Sequence, residues 1–155
     1  MKVLEKLHWV PVLYPAANAF AGTVATDIVN CESAVGILFQ LTKGAGAGGT
    51  TTITAQACDT VGPGTATAIA CQYRISTTPD VWSAWAQATA AAGFATTAGA
   101  NQLYQIFIRA ADIAALGFGY ARLSMVELVA QAVLGGVNAA VVQPRYQPSS
   151  STMLT

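Results

Sequence analysis

The chain has 155 residues and no net charge, with seven basic and seven acidic side chains, although 54% of its residues are hydrophobic. Its charged fraction of 9% is far below the roughly 25% of an average soluble domain. It has no basic excess for nucleic acid, no polybasic stretch for a membrane surface, and no apolar stretch of about 20 residues that could span a bilayer. Because so few charges would solvate a monomer poorly, we expect further copies of the chain or a partner to cover much of its surface.

The first predicted element is an arm formed by residues 1–8. Val3, Leu4 and Leu7 would lie together on a short amphipathic segment, and Glu5 interrupts its apolar residues, so the segment is not a signal peptide. Arms of this kind often become ordered only against a neighbour. We therefore expect residues 1–8 to contact another subunit or a partner.

Residues 9–142 are predicted to form a single domain built from strands. Side chains of opposite preference alternate in five runs, 35–41, 50–58, 69–75, 104–109 and 120–129. Such alternation is typical of half-buried antiparallel strands, because successive side chains point to opposite faces. Shorter candidate strands are 7–14, 22–30, 81–86 and 137–143. Together they predict an all-β fold, an antiparallel β-sandwich or jelly roll of about eight or nine short strands.

Turn residues separate these runs. The glycine-rich stretch 44–49 predicts a loop between strands, since glycine is costly within a strand. Residues 59–64 and 76–80 carry Gly, Pro, Asp and Thr in combinations that favour turns. The stretch 110–117 has helical character over one or two turns. The last predicted element is an extended C-terminal tail at 143–155, which contains two prolines and a serine run.

Groups that could carry catalysis are sparse. The only histidine, His8, lies in the predicted arm, and the sequence has no GxSxG motif and no cluster of acids. The glycine-rich loop 44–49 lacks the Lys and the following helix that a phosphate-binding loop requires. We expect buried, unpaired thiols at Cys31, Cys58 and Cys71. The sequence therefore predicts a protein that is not an enzyme and holds neither a cofactor nor a metal ion.

Two tryptophans are candidate binding residues. Trp82 and Trp85 are three positions apart, so a regular strand would send one into the core and leave the other near the surface. An exposed tryptophan could stack on a sugar ring, but we favour packing in the core or at a subunit interface. We expect the arginines at 74, 109, 122 and 145 to pair with Asp112, Glu127 or carboxylates of a partner rather than to bind phosphate.

Four longer segments follow one another as a glycine-rich loop with a Thr-rich strand, a strand pair, two strands around a short acidic turn, and a tail. They are GAGAGGTTTITAQACD at 44–59, TATAIACQYRISTTPDVWSAW at 65–85, YQIFIRAADIAALGFGYARLSMVE at 104–127 and AVVQPRY at 140–146. In pattern and order, roughly residues 30–147 resemble small head proteins of tailed bacteriophages, the capsid decoration or cement protein family.

The resemblance implies a non-enzymatic β-sandwich, commonly a homotrimer, that binds the outer face of the capsid where major capsid protein subunits meet. The protein would be made in the bacterial host cytoplasm and would end on the exterior of the virion. For contacts with the capsid or a neighbour we select Lys2, Trp9, Arg145 and Tyr146, since Arg and Tyr carry much of the energy of interfaces. For contacts within the oligomer we select Phe107, Tyr120, Val126 and Leu128.

Three other functions remain open at this point. A head-tail connector or tail component of a virion would share the composition. A carbohydrate-binding β-sandwich would use an exposed Trp82 or Trp85. A hydrolase would need His8 as its base. We rank these below the decoration protein, in this order.

Overall fold

The computed structural model describes residues 8–46 and 48–142, and in them it has twelve strands and one short helix. The helix, α1, is Ala110–Ala114. The strands are β1 Trp9–Ala16, β2 Thr23–Ala25, β3 Val29–Asn30, β4 Gly36–Lys43, β5 Thr50–Cys58, β6 Ala66–Ile69, β7 Cys71–Ser76, β8 Ala86–Ala88, β9 Phe94–Ala95, β10 Gln102–Arg109, β11 Tyr120–Val129 and β12 Gly135–Val142.

The strands form two antiparallel sheets packed face to face, which confirms the predicted all-β sandwich. Sheet A has the order β1-β12-β4-β10-β7-β8. Sheet B has the order β2-β11-β5-β6, with β3 also paired to β11 and β9 to β5. The described residues contain more strands than the eight or nine predicted, because β2, β3, β6, β8 and β9 are each four residues or shorter.

The core lies between the sheets and follows the alternation of the sequence. Every second side chain of β4, β5, β10 and the first part of β11 is buried, because neighbouring positions point to opposite faces of a sheet. Sheet A contributes Ile37, Phe39 and Leu41 from β4, Ile106 and Ile108 from β10, and Val137, Ala139 and Val141 from β12. Sheet B contributes Ile53, Ala55 and Ala57 from β5 and Ala121, Leu123 and Met125 from β11.

The core also holds polar groups that are satisfied within it. The Lys43 ammonium is buried, donates to the Thr97 carbonyl oxygen at 2.7 Å, and has its pKa lowered by that burial. The Tyr104 hydroxyl accepts from the Thr97 amide at 2.9 Å and donates to the Gln102 side chain at 3.0 Å. These bonds anchor the segment around Thr97 to sheet A, since an unpaired buried polar group would be costly.

Four details of the predicted strands are wrong. The run 69–75 is divided at Ala70 between β6 of sheet B and β7 of sheet A, and the run 22–30 is divided into β2 and β3. The run 81–86 is not a strand, since residues 82–85 are irregular and β8 begins only at Ala86. Val129 is exposed rather than aligned with the buried face of β11, because the register with β5 shifts between Glu127 and Val129. Such a β-bulge moves every following side chain to the other face.

The helix α1 is short and is the only helix in the described residues. Its five residues follow the end of β10 and bury Ile113 against the core. Residues 8–46 and 48–142 contain no helix that is long and apolar enough to cross a membrane.

The strands place the two ends of the domain at one corner of sheet A. Trp9, the first residue of β1, pairs with Ala140 near the end of β12. Adjacent strands lie about 4.8 Å apart, so residue 8 and Val142 leave the sheet side by side. The predicted arms at 1–8 and 143–155 lie outside the described residues, except for His8.

The sheet edges are short or interrupted. The edge strands β8, β2 and β6 have three, three and four residues. The remaining edge strand, β1, is longer but contains Pro11 and Pro15, which have no amide hydrogen to donate to another strand. These features discourage the addition of a strand from another chain at any of the four edges.

Candidate binding surfaces

The described residues offer little for catalysis. They hold no group of three or more His, Cys, Asp or Glu side chains that could bind a metal ion. Burial raises the pKa of the Cys31 thiol to about 12, with a further contribution from Glu32, and burial raises that of Cys71 to about 11. Burial also raises the pKa of Cys58. These thiols stay protonated near neutral pH and are therefore poor nucleophiles.

A cluster of polar and aromatic contacts on the surface is centred on Arg74 in β7. Its guanidinium carbon lies 4.7 Å from the ring centroid of Trp82 and 4.7 Å from that of Trp85. Its Nε and Nη2 atoms donate to Gln105 Oε1 at 2.8 and 2.6 Å. Cation–π contacts and a two-armed hydrogen bond therefore fix the Arg74 side chain on the outer face of sheet A.

The position of the two tryptophans differs from the prediction. Neither Trp82 nor Trp85 enters the core; Trp82 is half-buried and Trp85 is 45% exposed. The irregular backbone of 82–85 removes the strand alternation on which the prediction rested, and both rings instead contact the same cation. Within the described chain, Arg74 and Arg122 donate to glutamine side chains rather than to Asp112 or Glu127, while pairing with carboxylates of a partner stays a prediction. Arg109 does meet Asp112, with Nε 3.6 Å from Oδ2.

A row of amide side chains continues from Arg74 across sheet A. The strand registers place Arg74 opposite Gln105, Gln105 opposite Gln40, and Gln40 opposite Asn138. These four positions share the outer face of β7, β10, β4 and β12. The outer face of sheet A thus presents a polar stripe with two tryptophans at one end.

A cleft of about 610 Å³ lies beside this stripe, between the ends of β7 and β10. Trp82 and Leu103 form its apolar part, and Asp80 and Asn101 line its polar part. Both polar residues have left-handed backbones, with φ of 63° at Asp80 and 57° at Asn101. They are the only residues besides glycine with positive φ in the described chain, and Asp and Asn tolerate this conformation better than most residues.

The predicted contact residues of sheet A lie on its outer face. Trp9 is 40% exposed at the start of β1, at the corner where the chain ends leave the sheet. Phe107 is half-buried on β10, and its ring lies close to Gly36. The other predicted capsid contacts, Lys2, Arg145 and Tyr146, lie outside the described residues.

The other predicted oligomer contacts belong to sheet B. Tyr120 is half-buried at the start of β11, and Val126 and Leu128 are 45% and 57% exposed near its end. Tyr120 and Val126 are six positions apart, which is about 20 Å along a strand. The structure therefore brings Val126 and Leu128 together, but it separates them from Tyr120 and places Phe107 on the opposite sheet.

Two exposed apolar residues were missed by the sequence analysis. Val129 and Leu134 are 45% and 47% exposed at the end of β11 and just before β12. Only the bulge after Glu127 turns Val129 outward, and no pattern in the sequence indicates where a bulge occurs. Val126, Leu128 and Val129 form what we call the β11-end group, whereas Leu134 lines a cleft with Thr42 and Asn138 on the outer face of sheet A.

Comparisons with known proteins return no match: no family model matches the chain, and neither a curated protein nor a solved structure matches it.

Proposed function

We propose that the chain is a structural virion protein, a capsid decoration or cement protein that binds the outer face of an assembled phage head. The observation that carries the proposal is the scarcity of charge: seven basic and seven acidic side chains share an accessible surface of 7951 Å². A surface so poor in charge is poorly suited to a free monomer and favours coverage by partners. The resemblance of residues 30–147 to cement proteins supports the same role.

Several of the charges are engaged within the fold, which strengthens this argument. Lys43 is buried, and Arg74 is held by Gln105 beside two tryptophan rings. The Glu127 carboxylate accepts from the Gly22 amide at 2.8 Å. The charge that remains for solvation is smaller than the composition alone suggests.

The sheet edges favour association through faces and chain ends. Short edge strands, and prolines in β1, oppose the addition of strands from neighbouring copies. Association would therefore use side chains on the outer faces, which suits a closed ring better than a fibre. A cyclic trimer joins two different patches of each subunit. Phe107 on sheet A and the β11-end group on sheet B are our candidates for these two patches.

The corner at Trp9 is our candidate for the capsid clamp. Residue 8 and Val142 leave sheet A there side by side, so segments 1–7 and 143–155 attach at one place. Two segments that bind from one corner would reach the same capsid site. A subunit that binds only the assembled lattice stabilises it by mass action, and a trimer adds multivalency because its contacts act together.

Deletion of residues 143–155 tests the clamp. We expect binding to heads of the encoding phage to weaken at least about tenfold, because Arg145 and Tyr146 are lost from the contact. Co-sedimentation of protein with purified heads measures the effect, and circular dichroism checks the fold. Triple substitution of Ser149, Ser150 and Ser151 by alanine is the control and should bind normally. Full coating of heads by the truncated protein would contradict the clamp.

The mass of the full chain in solution tests the oligomer. Light scattering at several concentrations should give a trimer, three times the 15.9 kDa of one chain. A monomer at all concentrations would count against the trimer. Rings or tubes formed by the isolated protein would instead favour a head-tail connector or tail component.

A further inference from the structure

We propose that the cleft beside Trp82 is a carbohydrate-binding site for a neutral hexose or N-acetylhexosamine ring. The site goes beyond capsid binding and does not depend on it. Its volume of about 610 Å³ lies within the usual range for small-molecule sites, which combine apolar walls with a few placed polar groups.

Trp82 forms part of the apolar wall of the cleft. Trp82 lines the cleft, whereas Arg74, which lies over the Trp82 ring, does not. The guanidinium therefore does not close Trp82 off from the cleft. A flat aromatic surface next to polar groups suits a sugar ring, whose C–H groups form an apolar face and whose hydroxyls lie at its rim.

The loop that carries Trp82 is held in place by hydrogen bonds within the loop and to β7. The Val81 amide donates to the Thr78 carbonyl oxygen at 3.1 Å, and the Ser83 amide donates to the Ile75 carbonyl oxygen in β7 at 2.8 Å. The Ser83 hydroxyl in turn accepts from the Ile75 amide at 3.0 Å. A preformed wall loses little conformational entropy when a ligand binds.

The opposite wall is anchored in the same way. The Asn101 amide donates to the Gly44 carbonyl oxygen at 3.0 Å, and the Gln102 side chain donates to the Ala98 carbonyl oxygen at 3.1 Å. The left-handed backbones of Asp80 and Asn101 thus occur on two separately anchored loops that border one cleft. Left-handed residues other than glycine are more frequent at ligand sites than elsewhere.

The polar groups of the cleft and their charge indicate which class of sugar it would hold. Asp80 offers a carboxylate, Asn101 an amide, and Thr77 and Thr78 hydroxyls, which are the groups that bond to the hydroxyls of a sugar. Within residues 8–46 and 48–142, the side chains that line the cleft include Asp80 but no Lys, Arg or His. A neutral sugar is therefore favoured over a uronic acid, a sulfated sugar or a nucleotide, which Asp80 would repel.

The same set favours binding over cleavage. Glycosidases generally place two carboxyl groups on either side of the scissile bond. Among the described residues, Asp80 is the only carboxylate that lines this cleft. These residues have the chemistry to hold a sugar and do not supply a second acid or base for hydrolysis.

The test uses the full chain on an array of neutral oligosaccharides of hexoses and N-acetylhexosamines, with uronic-acid oligosaccharides and peptides as comparisons. Calorimetry with the best neutral binder then compares variants. Trp82→Ala should weaken binding more than about tenfold through loss of the stacking surface. Asp80→Asn should weaken it about tenfold, since Asn keeps the backbone conformation but loses the charge.

Trp85→Ala is the matched control, because Trp85 also contacts Arg74 but does not line the cleft. It should bind the sugar within about twofold of the parent chain, since its ring is outside the site. The proposal is overturned if no neutral oligosaccharide binds at about 10 mM or below. Equal loss in both tryptophan variants, or tighter binding of uronic acids or peptides, also overturns it. Head binding by the same variants is measured separately, so failure here leaves the decoration proposal standing.

Discussion

The two sheets carry the same cross-strand pair in different surroundings. In sheet A, Arg74 lies opposite Gln105 and donates to it through Nε at 2.8 Å. In sheet B, Arg122 lies opposite Gln56 and also donates through Nε at 2.8 Å. Both pairs tie two adjacent strands on an outer face of the sandwich.

The difference lies in what covers each pair. The connection between β7 and β8 places Trp82 and Trp85 against Arg74, and the same connection forms one wall of the cleft. Around Arg122, the outer face of sheet B carries Tyr120 and Ser124 on either side along β11, with Thr54 opposite Ser124, and in the described residues the cation–π contacts involve Arg74 alone. The comparison indicates that the same cross-strand pair gains aromatic contacts where a connecting loop brings tryptophan rings to it.

The largest effect that we expect on stability comes from disrupting the outer face of sheet A at Gly36. A Cβ atom at Gly36 would lie against the Ile108 carbonyl oxygen and 2.7 Å from Cζ of Phe107. Gly36→Ala should therefore lower the free energy of unfolding by about 2–3 kcal/mol, because strand and ring must both move. Urea denaturation measures the change.

The control for this substitution is Gly62, in the turn between β5 and β6 of sheet B. A Cβ atom at Gly62 would meet nothing within 4 Å. Gly62→Ala should change stability by no more than about 0.5 kcal/mol. Equal effects at the two positions would mean that Phe107 is not held against Gly36.

We expect an intermediate effect on stability from substitution of Arg74 and a smaller one from substitution of Arg122. Arg74→Ala should cost about 2 kcal/mol, because it removes two cation–π contacts and a hydrogen bond to Gln105. Arg122→Ala should cost about 1 kcal/mol or less, since only the bond to Gln56 is lost. Chemical denaturation of both variants under one condition gives the difference. If the Arg122 variant is the less stable, the tryptophans do not strengthen the Arg74 pair.

The smallest effect that we expect concerns the reactivity of the buried thiols of the two sheets near neutral pH. Cys71 lies in sheet A and Cys58 in sheet B, and both are buried. We expect no labelling of the native protein by a thiol reagent at pH 8 and labelling of Cys31, Cys58 and Cys71 in denaturant. Rapid labelling of one cysteine in the native state would show that its sheet opens.

At higher pH the same thiols should lower stability. In the unfolded chain they ionise near their ordinary pKa of 9.0, while burial raises the folded pKa of Cys71 to about 11 and that of Cys31 to about 12. Their contribution is complete below pH 9 and is lost as the pH rises toward the folded values. Urea midpoints at pH 8 and pH 10 measure the change, and equal midpoints would contradict burial of the thiols.

Strand alternation was readable from the sequence because it depends on neighbouring positions. Runs such as 104–109 bury every second side chain in the structure as the pattern predicts. The prediction for 81–86 was wrong because its residues have strand character but are held by contacts to β7, including the bond from Ser83 to Ile75. The β-bulge after Glu127 escaped detection for a similar reason, since it depends on the partner strand β5.

The candidate site was only partly readable. The sequence indicated that Trp82 or Trp85 could meet a sugar, but it gave no means to choose between them. The structure distinguishes the two tryptophans because residues 76–82 and 100–103 line one cleft. Trp82, Asp80 and Asn101 lie around this cleft, and Trp85 lies outside it. Residues about 20 positions apart meet there because β7 and β10 are adjacent in sheet A.

By itself the sequence determined the all-β class, the long strands and the scarcity of charge, since periodicity and composition are local or additive properties. Tertiary structure alone decided that β1 and β12 bring the chain ends to one corner, that two rings meet at Arg74, and that Phe107 and Val126 lie on opposite sheets. These features depend on which distant strands pair and in which register, and many pairings of the same alternating strands would satisfy the sequence pattern equally well.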